Sequence, residues 1–227
     1  MRLILIRHGQ THSNVADVLD TAEPGASLTE LGRRQAGTVP RSLAAEEIDV
    51  VYASTLVRTQ ETAEPLLTER NLEFRVHPGL REISAGEYEM RGDEEAIHAY
   101  LSTIFGWAED PHLRLDGGES GYEAWARYDE ALAEAEADGA ETAVMFSHGA
   151  IMRSWSAARV DNITTDHAAH HPISNTGAIV LEGSVREGWM ATYWEEMAVG
   201  GDRVVSKPGT GGPAGEEFPD DEVDQES

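Results

Sequence analysis

Leu3-Ile4-Leu5-Ile6 is an unbroken run of β-prone apolar residues, the pattern of a strand buried on both faces. It stops abruptly at Arg7-His8-Gly9-Gln10-Thr11. Two further segments repeat the plan. Val50-Val51-Tyr52-Ala53 hands over to Ser54-Thr55 and a helical stretch from Leu56 to Leu67. Ala143-Val144-Met145-Phe146 hands over to Ser147-His148-Gly149 and a helix-compatible stretch from Ala150 to Ala158. Strand, polar turn and helix in this order predict a three-layer α/β/α fold around a mostly parallel central sheet.

Between these units, Ser27-Leu28-Thr29-Glu30 fits a capping box opening a helix through Gln35-Ala36, with Pro40 set to end or kink it. Phe74-Arg75-Val76 and Ala178-Ile179-Val180-Leu181 read as strands, Gly121 to Ala137 as a long helix, and Val204-Val205 as the last strand. From Lys207 the chain turns to Pro, Gly and acid, so 207–227 is expected to be a disordered, solvated tail behind one domain spanning 1–206. No internal repeat is visible.

Composition narrows the function. The 227 residues carry 17 Lys+Arg against 42 Asp+Glu, a formal net charge of −25, which argues against nucleic-acid and anionic-membrane partners. Cysteine is absent, so disulfides, thiolate metal sites and a cysteine nucleophile are excluded. No run approaches the ~20 apolar residues of a membrane span, and the apolar stretch at the N-terminus is too short for a signal peptide. A soluble cytoplasmic protein is expected. Lys207 is the sole lysine, so an anion site must be built from arginine, histidine and backbone N–H groups.

Ligands of open α/β sheets bind outside the carboxyl ends of the strands. Arg7, His8, Ser54, Arg58 and His148 should converge there, and two imidazoles with two guanidiniums and no evident carboxylate make a poor core. An anionic ligand resolves the repulsion. Guanidinium forks match phosphate oxygens, a neutral imidazole nitrogen attacks phosphorus, and helix N-termini add N–H donors. The residues suggest a phosphoryl pocket. Asp166-His167-Ala168-Ala169-His170-His171-Pro172 has a spacing that could suit a metal, but no fourth ligand is evident and a surface loop is expected. Asn175-Thr176-Gly177 should border the pocket.

Arg7-His8-Gly9-Gln10-Thr11 resembles the signature of the histidine phosphatase superfamily, the phosphoglycerate-mutase-like fold. The likeness extends through Leu28-Thr29-Glu30-Leu31-Gly32 with Gln35-Ala36, Ser54 to Thr59 with Thr62-Ala63, Leu80-Arg81-Glu82 with Gly86 and Glu89, Gly118-Glu119-Ser120, and Ser147-His148-Gly149. The resemblance implies a phosphohistidine at His8, with the second ring nitrogen held by a backbone carbonyl. Arg7, Arg58 and His148 would clamp the phosphoryl oxygens, and Glu82 would serve as general acid and then base. Asn14, Thr11, Gln10 and Gly149 would bind substrate, and no metal or cofactor is implied. Asn14 could instead simply cap a helix.

Mutases of this superfamily resemble one another in a lid with adjacent arginines. The lid insertion here, about 84–122, has only Arg91 and Arg114 as basic residues against nine acids. Ala150 also follows the second His-Gly where several mutases carry a polar residue. The phosphatase branch is therefore expected, as a histidine acid phosphatase-type phosphomonoesterase (EC 3.1.3.-) acting on a small phosphorylated metabolite. A phosphoglycerate-type mutase and a non-catalytic phospho-ligand module are the alternatives. The lid acids should face the substrate and disfavour a second anionic group, with Tyr88, Tyr100, Phe105 and Trp107 offering apolar contact.

Overall fold

The computed structural model describes residues 1–72, 74–201, 204–207 and 211–215. Its strands are β1 (Arg2–Arg7), β2 (Val50–Ala53), β3 (Phe74–Val76), β4 (Thr142–Ser147), β5 (Ala178–Ser184) and β6 (Gly188–Glu195), forming one sheet in the order β3-β2-β4-β1-β5-β6. The first four run parallel; β5 is antiparallel to β1, and β6 to β5. The mostly parallel expectation holds, with an antiparallel margin added. β6 was not foreseen.

Strand periodicity divides the core in two. Leu3, Leu5, Tyr52, Ala143, Met145, Ile179 and Leu181 point to one face. Ile4, Ile6, Val51, Ala53, Val144, Phe146, Ala178 and Val180 point to the other. This two-sided burial is why the strands read as continuous apolar runs. The first face is covered by residues of α5 (Glu94–Gly106), α6 (Gly121–Ala137), α7 (Gly149–Arg159) and α8 (Thr165–His170). On the second lie α3 (Val39–Ser42) and α4 (Val57–Arg70), with α2 (Glu30–Ala36) packed on α4; a short α1 (His12–Val15) follows β1.

The long α6 starts at a capping box between Ser120 and Glu123, and buries Ala124, Tyr128, Ala131, Leu132 and Ala135 along one stripe. Elsewhere the local expectations shift. The cap of α2 is Thr29, whose side chain accepts the Gly32 N–H, because Leu28 is held extended by a bridge to Thr11 and by the Glu61 carboxylate. Pro40 lies in the first turn of α3, after α2 has already ended. The 166–171 segment is mostly helical rather than a loop: Thr164 caps α8, and the Arg153 guanidinium takes the carbonyls of Ala168 and Ala169. Val204 and Val205 form no strand.

Residues 211–215, expected within a solvated tail, return to the carboxyl end of β1, where the Gly211 carbonyl accepts from Arg7, with Gly212 and Pro213 buried; the acidic residues of 216–227 lie outside the described residues. Among the described residues no helix is long and apolar enough to cross a membrane.

Candidate active site

Three strand ends supply the site. His8 directly follows β1, Ser54 directly follows β2, and His148 directly follows β4, where it is the N-cap of α7. Arg7, His8, Thr11, Asn14, Arg58 and Glu82 line one cavity. Arg7, His8, Arg58, Glu82 and His148 are all buried.

His8 Nδ1 lies 2.7 Å from the Gly9 carbonyl. A carbonyl only accepts, so Nδ1 carries the proton and Nε2 presents its lone pair. Burial, then the charges of Arg58 and Arg7, push the imidazole well below its ordinary range and keep it neutral. Close packing fixes the loop, since a side chain at Gly9 or Gly32 would strike the backbone of Gly32 or Gln10 respectively. The Gly9 N–H also donates to Thr62.

The His148 ring sits 5.2 Å from that of His8. Its Nδ1 accepts from Arg58 Nε at 3.2 Å, so its protonated Nε2 donates to Ser54 Oγ at 2.7 Å. Burial and the Arg58 charge depress it as well.

Each arginine is held at some of its nitrogens and left open at another. Arg7 donates through Nη1 to the Ile173 carbonyl at 2.7 Å and through Nη2 to that of Gly211 at 2.6 Å; its buried Nε has no hydrogen-bond partner among the described residues. Burial lowers this guanidinium to about 10, with Glu82 opposing the shift and Arg58 adding to it. Arg58 donates through Nη2 to the Asp20 carbonyl at 2.9 Å, and its buried Nη1 also lacks a hydrogen-bond partner, the Asp20 carboxylate standing 3.8 Å away. An unmet buried donor costs about 1–3 kcal/mol. The two open donors belong to arginines that line one cavity together with His8, and such a concentration of unpaired cationic donors suits an anion.

Glu82 faces them from the N-terminus of α7. One carboxylate oxygen accepts the N–H groups of Ile83 and Ile151, and the other accepts that of Ala150. The carboxylates of Glu82 and Asp20 supply the local negative charge that the sequence did not reveal. Arg127 braces the loop beneath, donating to the carbonyls of Gly79, Arg81 and Glu82 while pairing with both oxygens of Glu119. Burial opposes ionisation of Glu119, but the Arg127 bonds and charge outweigh it and the carboxyl lies below its usual range.

The expected binding residues separate. Thr11 and Asn14 line the cavity and also close a reciprocal cap on α1, so the capping role of Asn14 is real. Its Oδ1 accepts from Thr11 N and from Asn175 Nδ2. Asn175 also donates to the His8 carbonyl, placing 175–177 behind the cavity. Gln10 is a correction: its side chain turns away to Thr29 and Ser206. Gly149 is another, since it does not line the cavity. A Cβ there would meet the Ala214 carbonyl at 2.8 Å and Arg7 Nε at 3.1 Å, so the glycine makes room for Arg7.

The lid acids are corrected too. None of the nine lines the cavity. Glu89 accepts the Thr21 and Ala22 N–H groups and the Thr21 hydroxyl, Glu119 pairs with Arg127, and Asp93 caps α5. Of the four lid aromatics only Tyr100 reaches the cavity; Phe105 and Trp107 are buried in the core. The carboxylate on the wall besides Glu82 is Asp20, which no motif signalled. Pro213 and Ala214 also line the wall and were hidden in the presumed tail.

The model of the histidine phosphatase superfamily (branch 1) matches residues 3–196. The chain is 34% identical over 212 residues to the PE-PGRS family protein PE_PGRS11 of Mycobacterium tuberculosis, spanning 86% of this chain but 36% of that one. It is 33% identical over 127 residues to the adenosylcobalamin/alpha-ribazole phosphatase of Salmonella typhimurium, covering 56% of this chain and 62% of the other. The chain thus spans about a third of the first relative's length and somewhat under two thirds of the second's. Against the glucosyl-3-phosphoglycerate phosphatase of Mycobacterium tuberculosis it is 31% identical over 217 residues, 87% of this chain and 95% of the relative. A solved mycobacterial glucosyl-3-phosphoglycerate phosphatase complexed with VO3 superposes with a TM-score of 0.72 at 28% identity, covering 86% of this chain and 98% of the other. A family model spanning 3–196 and a relative matched along nearly its whole length agree: this chain belongs to the histidine phosphatase superfamily (branch 1).

Proposed function

We propose that this protein is a phosphomonoesterase that passes the phosphoryl group of a small phosphorylated metabolite through His8 to water. The observation that carries this reading is the pair of buried unpartnered donors, Arg7 Nε and Arg58 Nη1, on the cavity that presents the unprotonated His8 Nε2. Phosphoryl oxygens satisfy both donors and bring phosphorus to the nucleophile. In the first step Nε2 bonds to phosphorus as the ester P–O bond breaks, and Glu82, entering this step as the carboxylic acid, gives its proton to the departing oxygen and is left as the carboxylate. In the second, water attacks phosphorus, Glu82 takes a proton from it, and the P–N bond breaks to release inorganic phosphate. Arg7 and Arg58 hold the charge of the equatorial oxygens throughout, which is where most of the rate enhancement of phosphoryl transfer arises.

The relatives support the class of reaction: their names include phosphatases of a glucosylated phosphoglycerate and of alpha-ribazole phosphate. They do not select the narrower histidine acid phosphatase type, which a pH–rate profile decides. Hydrolysis is favoured over a mutase because no cation beyond Arg7 and Arg58 is found among the described residues lining the cavity to grip a second anionic group. The test is phosphate release from an aryl phosphate, with and without a chelator. Sustained release unaffected by chelation is expected. Binding without release would leave a phospho-ligand module, and transfer to a phosphoglycerate acceptor without release would leave a mutase.

A further inference from the structure

The segment Gly211-Gly212-Pro213-Ala214 has the composition of a linker, yet its backbone is anchored to buried parts of the active site. The Gly211 carbonyl accepts Arg7 Nη2 at 2.6 Å. The Ala214 carbonyl accepts Arg153 Nη1 at 3.2 Å, and Arg153 is itself fully buried. Gly212 adopts φ of +76°, and a Cβ there would sit 2.4 Å from Asn14 Nδ2, so both conformation and space call for glycine. Ala214 fills the hollow that Gly149 leaves open, and with Pro213 it lines the cavity.

The contact with Arg7 matters for chemistry. A guanidinium is planar, and the carbonyls of Ile173 and Gly211 fix its two terminal nitrogens, leaving Nε as the open donor. Without Gly211 a second nitrogen of this buried group would be unmet, and the plane would be free to turn. The Pro213 and Ala214 side chains, for their part, bound the space beside His8.

We propose that Gly211–Ala214 is a working wall of the substrate site, a positioning element for Arg7 and a steric limit on the leaving group. The inference rests on the phosphomonoesterase reading for its leaving-group part, while its Arg7 part concerns anion binding alone.

Two variants test it: a chain ending at Ser206, and full-length Gly212→Val, which displaces the segment without deleting it. Inorganic phosphate binding is followed by calorimetry, thermal unfolding is recorded, and kcat and KM are measured for small and bulky aryl phosphates. Loss of one charge-assisted bond to a buried guanidinium corresponds to about 10- to 100-fold. Phosphate affinity should therefore fall about 10- to 100-fold in both variants, KM should rise in parallel, and the full chain's preference for small leaving groups should shrink. If the truncated chain unfolds, Gly212→Val carries the test. Phosphate affinity within twofold of the full chain, or tighter, in a folded variant overturns the proposal, as does a full chain that binds no phosphate. Phosphate binding that responds as expected in a full chain without turnover would instead refute the phosphomonoesterase reading and the leaving-group role, leaving the Arg7 role standing.

Discussion

Replacing Glu82 by Gln separates the chemistry of this carboxylate from its structural duties. Oε1 accepts the N–H groups of Ile83 and Ile151, both at 2.9 Å, and Oε2 accepts that of Ala150 at 3.1 Å. A glutamine carbonyl can keep the first pair, but its NH2 then confronts the Ala150 N–H, donor against donor. One unmet buried donor costs about 1–3 kcal/mol, and a domain of this size loses roughly 2–4 °C of melting temperature per kcal/mol. The variant should thus melt several degrees lower and remain folded. Its kinetic signature is different in kind. General acid catalysis contributes about 10²–10⁴-fold, or roughly 3–5 kcal/mol, when the leaving oxygen needs a proton, and little when the leaving group is a stable phenolate. The assay is kcat/KM, which reports the steps up to cleavage of the ester bond and leaves out hydrolysis of the phosphohistidine, for phosphate esters graded from alkyl alcohols to nitrophenol. Alkyl esters should lose about 10²–10⁴-fold and nitrophenyl phosphate less than about tenfold, steepening the dependence on leaving-group basicity. A uniform loss across the series refutes the assignment and transfers the proton to another group.

Other expectations follow from the same geometry. His8→Ala should abolish turnover and the acid-labile phosphoenzyme; retention of more than a few per cent of activity would dismiss the covalent route. Because His8 and His148 are depressed below 6.5 in the folded state, the unfolded chain binds the extra protons, so their contribution to stability is complete above that value and declines as pH falls below it. Each such histidine is worth up to about 2 kcal/mol between pH 7.5 and 5. His8→Ala should therefore melt with a shallower acid dependence than the parent, and equal slopes would argue against a neutral buried His8. Asp20→Asn removes a carboxylate from the cavity wall, and two like charges about 10 Å apart at an effective dielectric near 20 repel by about 1.7 kcal/mol. The ratio of kcat/KM for carboxylate-bearing over neutral esters should rise about tenfold, and an unchanged ratio would mean that Asp20 does not face the substrate.

Much of this was legible in the chain because burial on both faces of the sheet leaves a strong imprint. Leu3–Ile6, Val50–Ala53 and Ala143–Phe146 are apolar throughout, and of the polar residues that end them Arg7, His8 and Thr11 line the cavity while Ser54 and His148 stand beside it in a hydrogen-bonded pair. Of the residues expected there, Arg7, His8, Arg58, Glu82, Thr11 and Asn14 line it, while His148, Gln10 and Gly149 do not, both ring nitrogens of His148 being engaged by Arg58 and Ser54. The misses have physical causes. β6 is an edge strand whose exposure varies along its length, so its alternation is blurred, although Trp189, Thr192, Tyr193 and Trp194 carried a strand-like composition. Asp20 lies in a loop without periodicity. The 211–215 segment docks largely through backbone carbonyls, which every residue possesses, so no side-chain pattern announces it. Composition likewise counts the charges of the lid but says nothing of their direction, and Glu89 and Glu119 turn out to be engaged in holding the loops together.

The surroundings of the two cations explain how they stay buried. Arg7 and Arg58 are both lowered: burial acts against the charge, joined at Arg7 by the charge of Arg58, while Glu82 at Arg7, and Asp20 and then Glu82 at Arg58, act for it. Backbone carbonyls of Ile173, Gly211 and Asp20 satisfy the terminal nitrogens that do not face a ligand. The donors left open belong to guanidiniums already held in place by these carbonyls, so they need little reorganisation when negative charge builds on the phosphoryl oxygens. Neutral histidines complete the arrangement. A protonated His8 would be repelled by both arginines and could not attack phosphorus, so the fields that depress its proton affinity also keep its nucleophile available. Removing Arg58 to relieve the crowding would therefore cost twice, in oxygen binding and in the neutrality of the imidazole.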